Sequence, residues 1–189
     1  MQRICDYFQI EAAVEIIRRG GVIAYPTEAV YGLGCDPLSK NAVKKILELK
    51  GRDTHKGFIL ISHSFEILRS WIQPLSRSRM DVIISTWPGP ITWVFPVADW
   101  VPAWVHGGRG SIALRVSAHP VVIQLCELYQ HALISTSANP QDKPPAKTVE
   151  EVKHYFNQSI DYLIEGPLGD LSNPTEIRDA VSNVLIRKS

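Results

Sequence analysis

Apolar and polar positions along this chain change period repeatedly, and each change marks a predicted element. Ile10 to Arg19 carries apolar residues at helical spacing, and Gly20-Gly21 supplies the stop. Val22 to Tyr25 is a short apolar strand ending at Pro26. Ser39 is placed to cap a helix running to Leu49, with Val43, Ile46 and Leu47 on one face. Phe58 to Ile61 predicts a strand, and residues 64–72 and 78–86 carry helical patterns. Trp87-Pro88-Gly89-Pro90 is a turn signal. Ile91 to Val97 and Ser111 to Val116 predict strands, His119-Pro120 opens a helix through Tyr129, and Leu133 to Thr136 is another strand. A polar, proline-rich loop, Pro140 to Lys147, leads to a capping box in Thr148-Val149-Glu150-Glu151. Ile160 to Ile164 and Asn183 to Ile186 predict late strands. Helices and strands interleave without a strict βαβ repeat, so the fold class is α/β with a mixed sheet covered by helices.

Composition narrows the function. A chain of 189 residues predicts one domain, residues 1–189, with a sizeable core. A net charge of +1 argues against a protein-wide basic surface, so any nucleic-acid role needs a local patch. Cys5, Cys35 and Cys126 are too few and scattered for a disulfide framework or metal knuckle, and predict reduced thiols in a cytosolic protein. Cys35 is expected to be a small buried filler beside Gly34 rather than a nucleophile. The first residues lack the apolar core of a signal peptide. The longest uncharged stretch, from Val82, is broken by Pro88, Gly89, Pro90 and Pro96. The expectation is a soluble, cytoplasmic protein with no membrane association.

Two blocks concentrate the candidate chemistry. Residues 26–37 read as a glycine-bearing turn after an apolar strand. Residues 48–57 place Lys50, Arg52 and Lys56 at a helix end, where both heads flanking Gly51 are expected to converge. Arginine offers a rigid fork to phosphate oxygens and lysine a compact charge, so the set suits a nucleoside triphosphate. A solvated helix face is the competing reading, with Lys44, Lys45, Glu48 and Asp53 nearby. Neither a Walker-type phosphate loop nor a nucleophile elbow is present. No acidic cage for a metal appears, so Mg²⁺ is expected to ride on the substrate phosphates. Gly107-Gly108-Arg109-Gly110 is glycine-rich at the wrong spacing and reads as a flexible loop or lid. Ser135 to Asn139, at the end of an apolar strand, fits a phosphate or ribose site, or an ordinary turn. Arg115 lies on the strand face opposite Leu114 and Val116, either outward or as a carboxylate clamp.

These blocks together resemble the YrdC-like threonylcarbamoyl-AMP synthases of the short, single-domain TsaC type. The likeness rests on Pro26 to Pro37, Leu49 to Ile61, Trp87 to Pro96, Ser111 to Pro120, Ile134 to Asn139 and Asn173 to Ala180. It implies a twisted mixed α/β sheet flanked by helices around a large basic cavity. It also implies condensation of L-threonine, bicarbonate or CO₂, and ATP into threonylcarbamoyl-adenylate and pyrophosphate. A downstream threonylcarbamoyl transferase complex would then modify adenosine 37 of tRNAs that read codons beginning with A. By the resemblance, Lys50, Arg52, Lys56, Ser111, Ser137, Asn139 and Arg187 hold ATP, with Lys50 and Arg52 also stabilising transition-state charge. Thr27, Tyr31, Arg115, Ser117 and Thr175 form the threonine site. Asp53, Gln141-Asp142 and Asn173-Pro174-Thr175-Glu176 depart from the pattern of longer relatives. The competing readings are an RNA-binding module using the same cavity, and a paralogue without the activity.

Overall fold

A computed structural model describes residues 6–188; the remaining positions, Cys5 among them, lie outside the described residues. The strands are β1 Ile23–Pro26, β2 Tyr31–Gly34, β3 Ile59–Ser62, β4 Ile91–Pro96, β5 Ser111–Val116, β6 Leu133–Ser137, β7 Tyr162–Leu163, β8 Glu176–Asp179 and β9 Leu185–Arg187. The helices are α1 Tyr7–Arg18, α2 Lys40–Lys50, α3 Phe65–Leu68, α4 Arg77–Ile84, α5 Ala103–His106, α6 Pro120–Tyr129 and α7 Val149–Phe156. All the strands join one sheet in the order β7-β1-β2-β6-β3-β5-β4-β8-β9. The pairs β1–β7, β3–β5 and β4–β8 are parallel and the other five antiparallel, so the sheet is mixed.

The predicted helix ends are set by side-chain chemistry. Ser39 caps α2, and Thr148 with Glu151 closes the capping box of α7. Gly51 ends α2 in the left-handed region at φ 60°, and the Arg52 N–H returns to Leu47 O at 3.0 Å. At α6, Pro120 fills the first turn and the His119 ring accepts from the Val121 N–H at 3.3 Å.

Five strands or helices differ from the expectation. The block at 26–37 is not only a turn: the turn is confined to Thr27–Val30, and Tyr31–Gly34 is a strand inside the sheet. Glycine there serves close approach. A β-carbon on Gly34 would stand 2.7 Å from a Tyr25 ring carbon and 2.8 Å from Ile134 O. The pattern also missed β8, whose alternation spans only four residues, and the single turn of α5. β9 starts two residues later than expected. Asp179 gathers the N–H groups of Val181 and Ser182, and Asn183 at φ 65° completes that turn. The helical pattern at 64–72 resolves into α3 and a tight turn over Arg69–Trp71.

Strand alternation sends side chains to two unlike faces. Leu60, Ile112, Leu114 and Ile134 join a core with Val43, Ile46, Ile83, Val152 and Phe156, which closes one face. On the other face, α1 and α6 pack Ile10, Val14, Ile17, Val122 and Leu125 onto Ile23, Tyr25, Ile61 and Leu133. Two residues further along the same strands, Ile59 and Ser135 line a cavity instead. Cys35 and Cys126 are buried in the two cores, and burial pushes both thiols up, away from the reactive thiolate.

Gly34→Ala is expected to destabilise the fold by about 2 kcal/mol in urea unfolding, because two neighbours must move. Burial holds the His119 pKa below 6.5. Between the folded value and 6.5 the unfolded chain binds more protons, so stability should fall as pH drops below 6.5 and stay level above it. His119→Asn, which caps without titrating, should flatten that slope in chemical denaturation.

Candidate functional site

The uncovered half-face holds a cavity of about 590 Å³. Its floor is a row of paired positions running across five strands: Ser135, Ile59, Ala113, Val94 and Asp179. Small residues at Ser135 and Ala113 keep the floor low. Neighbouring strands are about 4.8 Å apart, so β3 to β8 spans roughly 14 Å, the scale of a nucleotide.

At one end of β3 and β5, Arg52, Lys56 and Arg109 enter the cavity beside His106, Ser111 and Ser137. The Arg52 guanidinium donates to Gly57 O at 2.9 Å and lies 5.5 Å from the centre of the Phe58 ring. Burial, and then the nearby Arg109, lower its pKa. Arg109 donates to His55 O at 2.6 Å. Two glycines hold these loops together. A β-carbon on Gly107, at φ 66°, would stand 2.6 Å from His55 O, and one on Gly57, at φ 59°, would stand 2.9 Å from His106 O. The 107–110 loop thus packs against the 55–57 segment, with His106 and Arg109 lining the cavity.

At the opposite end lies Arg115, 7 % exposed, which resolves the two readings of its strand: it is buried and faces the cavity. Its guanidinium donates to Thr175 Oγ1 at 3.1 Å and pairs with Glu28 at 3.3 Å. The Nε–H of Arg115 is buried and has no partner among the described residues, so one donor of the group is unused. Thr175 is fixed through Thr92 at 3.1 Å, and its carbonyl accepts from Arg187 at 2.7 Å. Thr27 and Tyr31 line the same region. The Thr27 hydroxyl donates to Val30 O at 2.7 Å within its turn, and the Tyr31 hydroxyl to Gly166 O at 2.7 Å.

Three residues expected in the site do not line the cavity. Lys50 and Arg52 do not converge on it, because they leave α2 on different sides of Gly51. Lys50 is 4 % exposed, and its ammonium donates to Ser137 O at 2.5 Å, Asn139 O at 2.8 Å and Asn139 Oδ1 at 3.2 Å. Burial, and then Arg52, lower its pKa to about 7. It braces the β6 end. Asn139 turns inward to accept from Ser137 Oγ at 2.6 Å and to donate to Pro140 O and Lys143 O. Ser117 donates to Glu28 at 2.5 Å, so it stands behind Arg115 rather than in the pocket. Conversely, the sequence reading passed over Arg109, His106, Phe58 and Asp179 as cavity residues. Arg109 sat inside a glycine run read as a lid, and Asp179 belongs to a strand too short for its alternation to register.

Among the described residues, the lining carries Arg52, Lys56, Arg109, Arg115 and Arg187 against one carboxylate, Asp179. Fold and cavity define an anion-accepting α/β protein whose pocket has a cationic end and a separate carboxylate clamp. The chain belongs to the Sua5/YciO/YrdC family, whose model, described as "Telomere recombination", matches residues 15–189. It is 48 % identical over 181 residues to a threonylcarbamoyl-AMP synthase of Halorhodospira halophila, covering 96 % of this chain and 95 % of that protein. It superposes on P. abyssi Sua5 complexed with L-threonine with a TM-score of 0.91 at 34 % identity, covering 98 % of this chain and 55 % of that one. E. coli YciO matches with a TM-score of 0.86 at 28 % identity, covering 99 % of this chain and 92 % of that one.

Lys50→Met strands buried oxygens at Ser137 and Asn139, and should cost about 2 kcal/mol or more in urea unfolding. Arg52→Gln removes one bond to Gly57 O and should cost less. Its effect should appear instead as weaker binding of inorganic triphosphate in calorimetry.

Proposed function

We propose that the chain is a threonylcarbamoyl-AMP synthase that joins L-threonine, bicarbonate or CO₂, and ATP. The observation that carries this reading is the division of one cavity between a cationic end, at Arg52, Lys56 and Arg109, and the buried Arg115 clamp. A triphosphate relieves the repulsion among the first set, and an amino-acid carboxylate takes the unused Arg115 donor. The relatives named for this activity, and the threonine complex of a family member, support the same assignment.

In this reading Arg52, Lys56, Ser111, Ser137 and Arg187 hold ATP, joined by Arg109. Thr27, Tyr31, Arg115 and Thr175 hold L-threonine. Lys50 and Asn139 act as positioning residues, setting the backbone from which Ser137 projects. Ser117 acts through Glu28 on Arg115. The threonine amine adds to CO₂ and loses a proton, giving a carbamate. A carbamate oxygen then attacks the α-phosphorus as the bond from that phosphorus to the bridging oxygen breaks, and pyrophosphate leaves with the electron pair. The protein's contribution is alignment and neutralisation of the charge on the leaving phosphates. Asp179 alone is too few ligands for a divalent ion, so Mg²⁺ enters on the ATP phosphates as part of the substrate. The adenylate is a mixed anhydride and must be passed on. A threonylcarbamoyl transferase complex acting on adenosine 37 of tRNA fits that demand, with weak RNA contact at the exposed Lys56 and Arg109. Among the described residues no helix is long and apolar enough to cross a membrane.

Pyrophosphate release from ATP should require L-threonine and bicarbonate together. Release that continues unchanged without threonine would overturn the assignment. Arg52→Ala should lower turnover by about 100-fold, whereas Arg115→Gln should act mainly on the KM for threonine.

A further inference from the structure

The β8–β9 edge of the cavity differs chemically from the rest of its lining. Asp179 is the single carboxylate there among the described residues, in a pocket otherwise rich in cations. Its lining neighbours include three apolar residues, Val94, its register partner on β4, Ile177, which precedes it on the same face of β8, and Ile186 on β9, with the cation Arg187 paired to Ile177.

The two oxygens of Asp179 are not equivalent. Oδ1 accepts from the N–H groups of Val181 and Ser182 at 2.9 and 2.7 Å, and from the Ser182 hydroxyl at 2.9 Å. That oxygen is consumed by the hairpin turn. These bonds, the Ser182 N–H first, hold the carboxyl below its ordinary pKa, so it is ionised and can only accept. The hairpin is itself anchored from behind. The Arg79 guanidinium donates to Ala180 O at 2.5 Å and reaches Asn183 Oδ1 at 3.3 Å, while stacking 5.1 Å from the Trp93 ring. The carboxylate is thus presented by a braced turn.

A carboxylate repels phosphate and accepts from neutral donors. Within ATP, the neutral donors beside an apolar surface are the ribose hydroxyls and the exocyclic amine of the base. Asp179 stands at the far end of the floor row, beyond Ala113 and Val94 and across the strands from Ile59 and Ser135. We infer that Asp179 reads the ribose hydroxyls of the nucleotide and makes the site selective for ribonucleotides. This inference rests on the proposed ATP site and assigns its nucleoside end.

The test is calorimetric binding of ATP, 2′-deoxyATP, 3′-deoxyATP and inosine triphosphate, without threonine or bicarbonate. It compares the full chain with Asp179→Asn, which keeps an acceptor for the turn and loses the charge and the second acceptor oxygen. The wild type should bind ATP about tenfold more tightly than at least one deoxy analogue, the worth of one hydrogen bond to a charged group. Asp179→Asn should bind ATP and that analogue equally, with a thermal midpoint lowered by a few degrees because a neutral amide holds the turn's donors less strongly, but still a single cooperative unfolding transition. Discrimination that survives in Asp179→Asn, or a wild type that separates only ATP from inosine triphosphate, would overturn the ribose assignment. Absence of ATP binding by the wild type would instead overturn the ATP site itself.

Discussion

One sheet face is sealed and the other is only half sealed, and the site follows from that imbalance. α1 and α6 cover one end of β1, β3 and β6 with a dry aliphatic layer. The same strands then run on past the helices, so residues two positions along meet an open cavity. Had either helix continued over β5, Arg115 would have faced a hydrocarbon layer that cannot hold a charge. The stability of the chain therefore comes from the sealed face and from the covered end, which leaves the remaining half-face free to carry groups that repel one another.

That repulsion is contained by specific devices. Arg115 has Glu28 as a counterion and Thr175 as an acceptor. Arg187 is tied to a carbonyl, as are Arg52 and Arg109. None of these five contacts is to solvent, so each of the four guanidinium groups is oriented before a ligand arrives and the entropy of ordering it is spent during folding. Lys50 contributes from outside the pocket. Its three acceptors join α2 to the end of β6, and so link the helix that leads to Arg52 with the strand that ends at Ser137.

Much of this was legible in the sequence because period and capping are local signals. β5, α6 and the capping box at Thr148 fall where the pattern puts them. The misses have two causes: β8 and α5 are too short for their period to register, and others depend on a neighbour distant in the chain. Gly32 and Gly34 look like turn residues until Tyr25 and Ile134 are brought against them. The direction in which Lys50 turns is decided by oxygens nearly ninety residues away, at Ser137 and Asn139. Residue type announced the cations, but only the β3–β5–β4–β8 register explains how Arg115 and Asp179 come to share one floor with Arg52.

The back-to-back contact of Gly57 with Gly107 has a further meaning. Because each lacks a side chain, the loop carrying Lys56 and the loop carrying Arg109 touch backbone to backbone, and neither can shift without the other. The two loop backbones are thereby placed as one unit. Where Lys56 and Arg109 leave the chain is then a property of main-chain geometry, and exchanging side chains alone would change the charges that the unit carries without moving its frame.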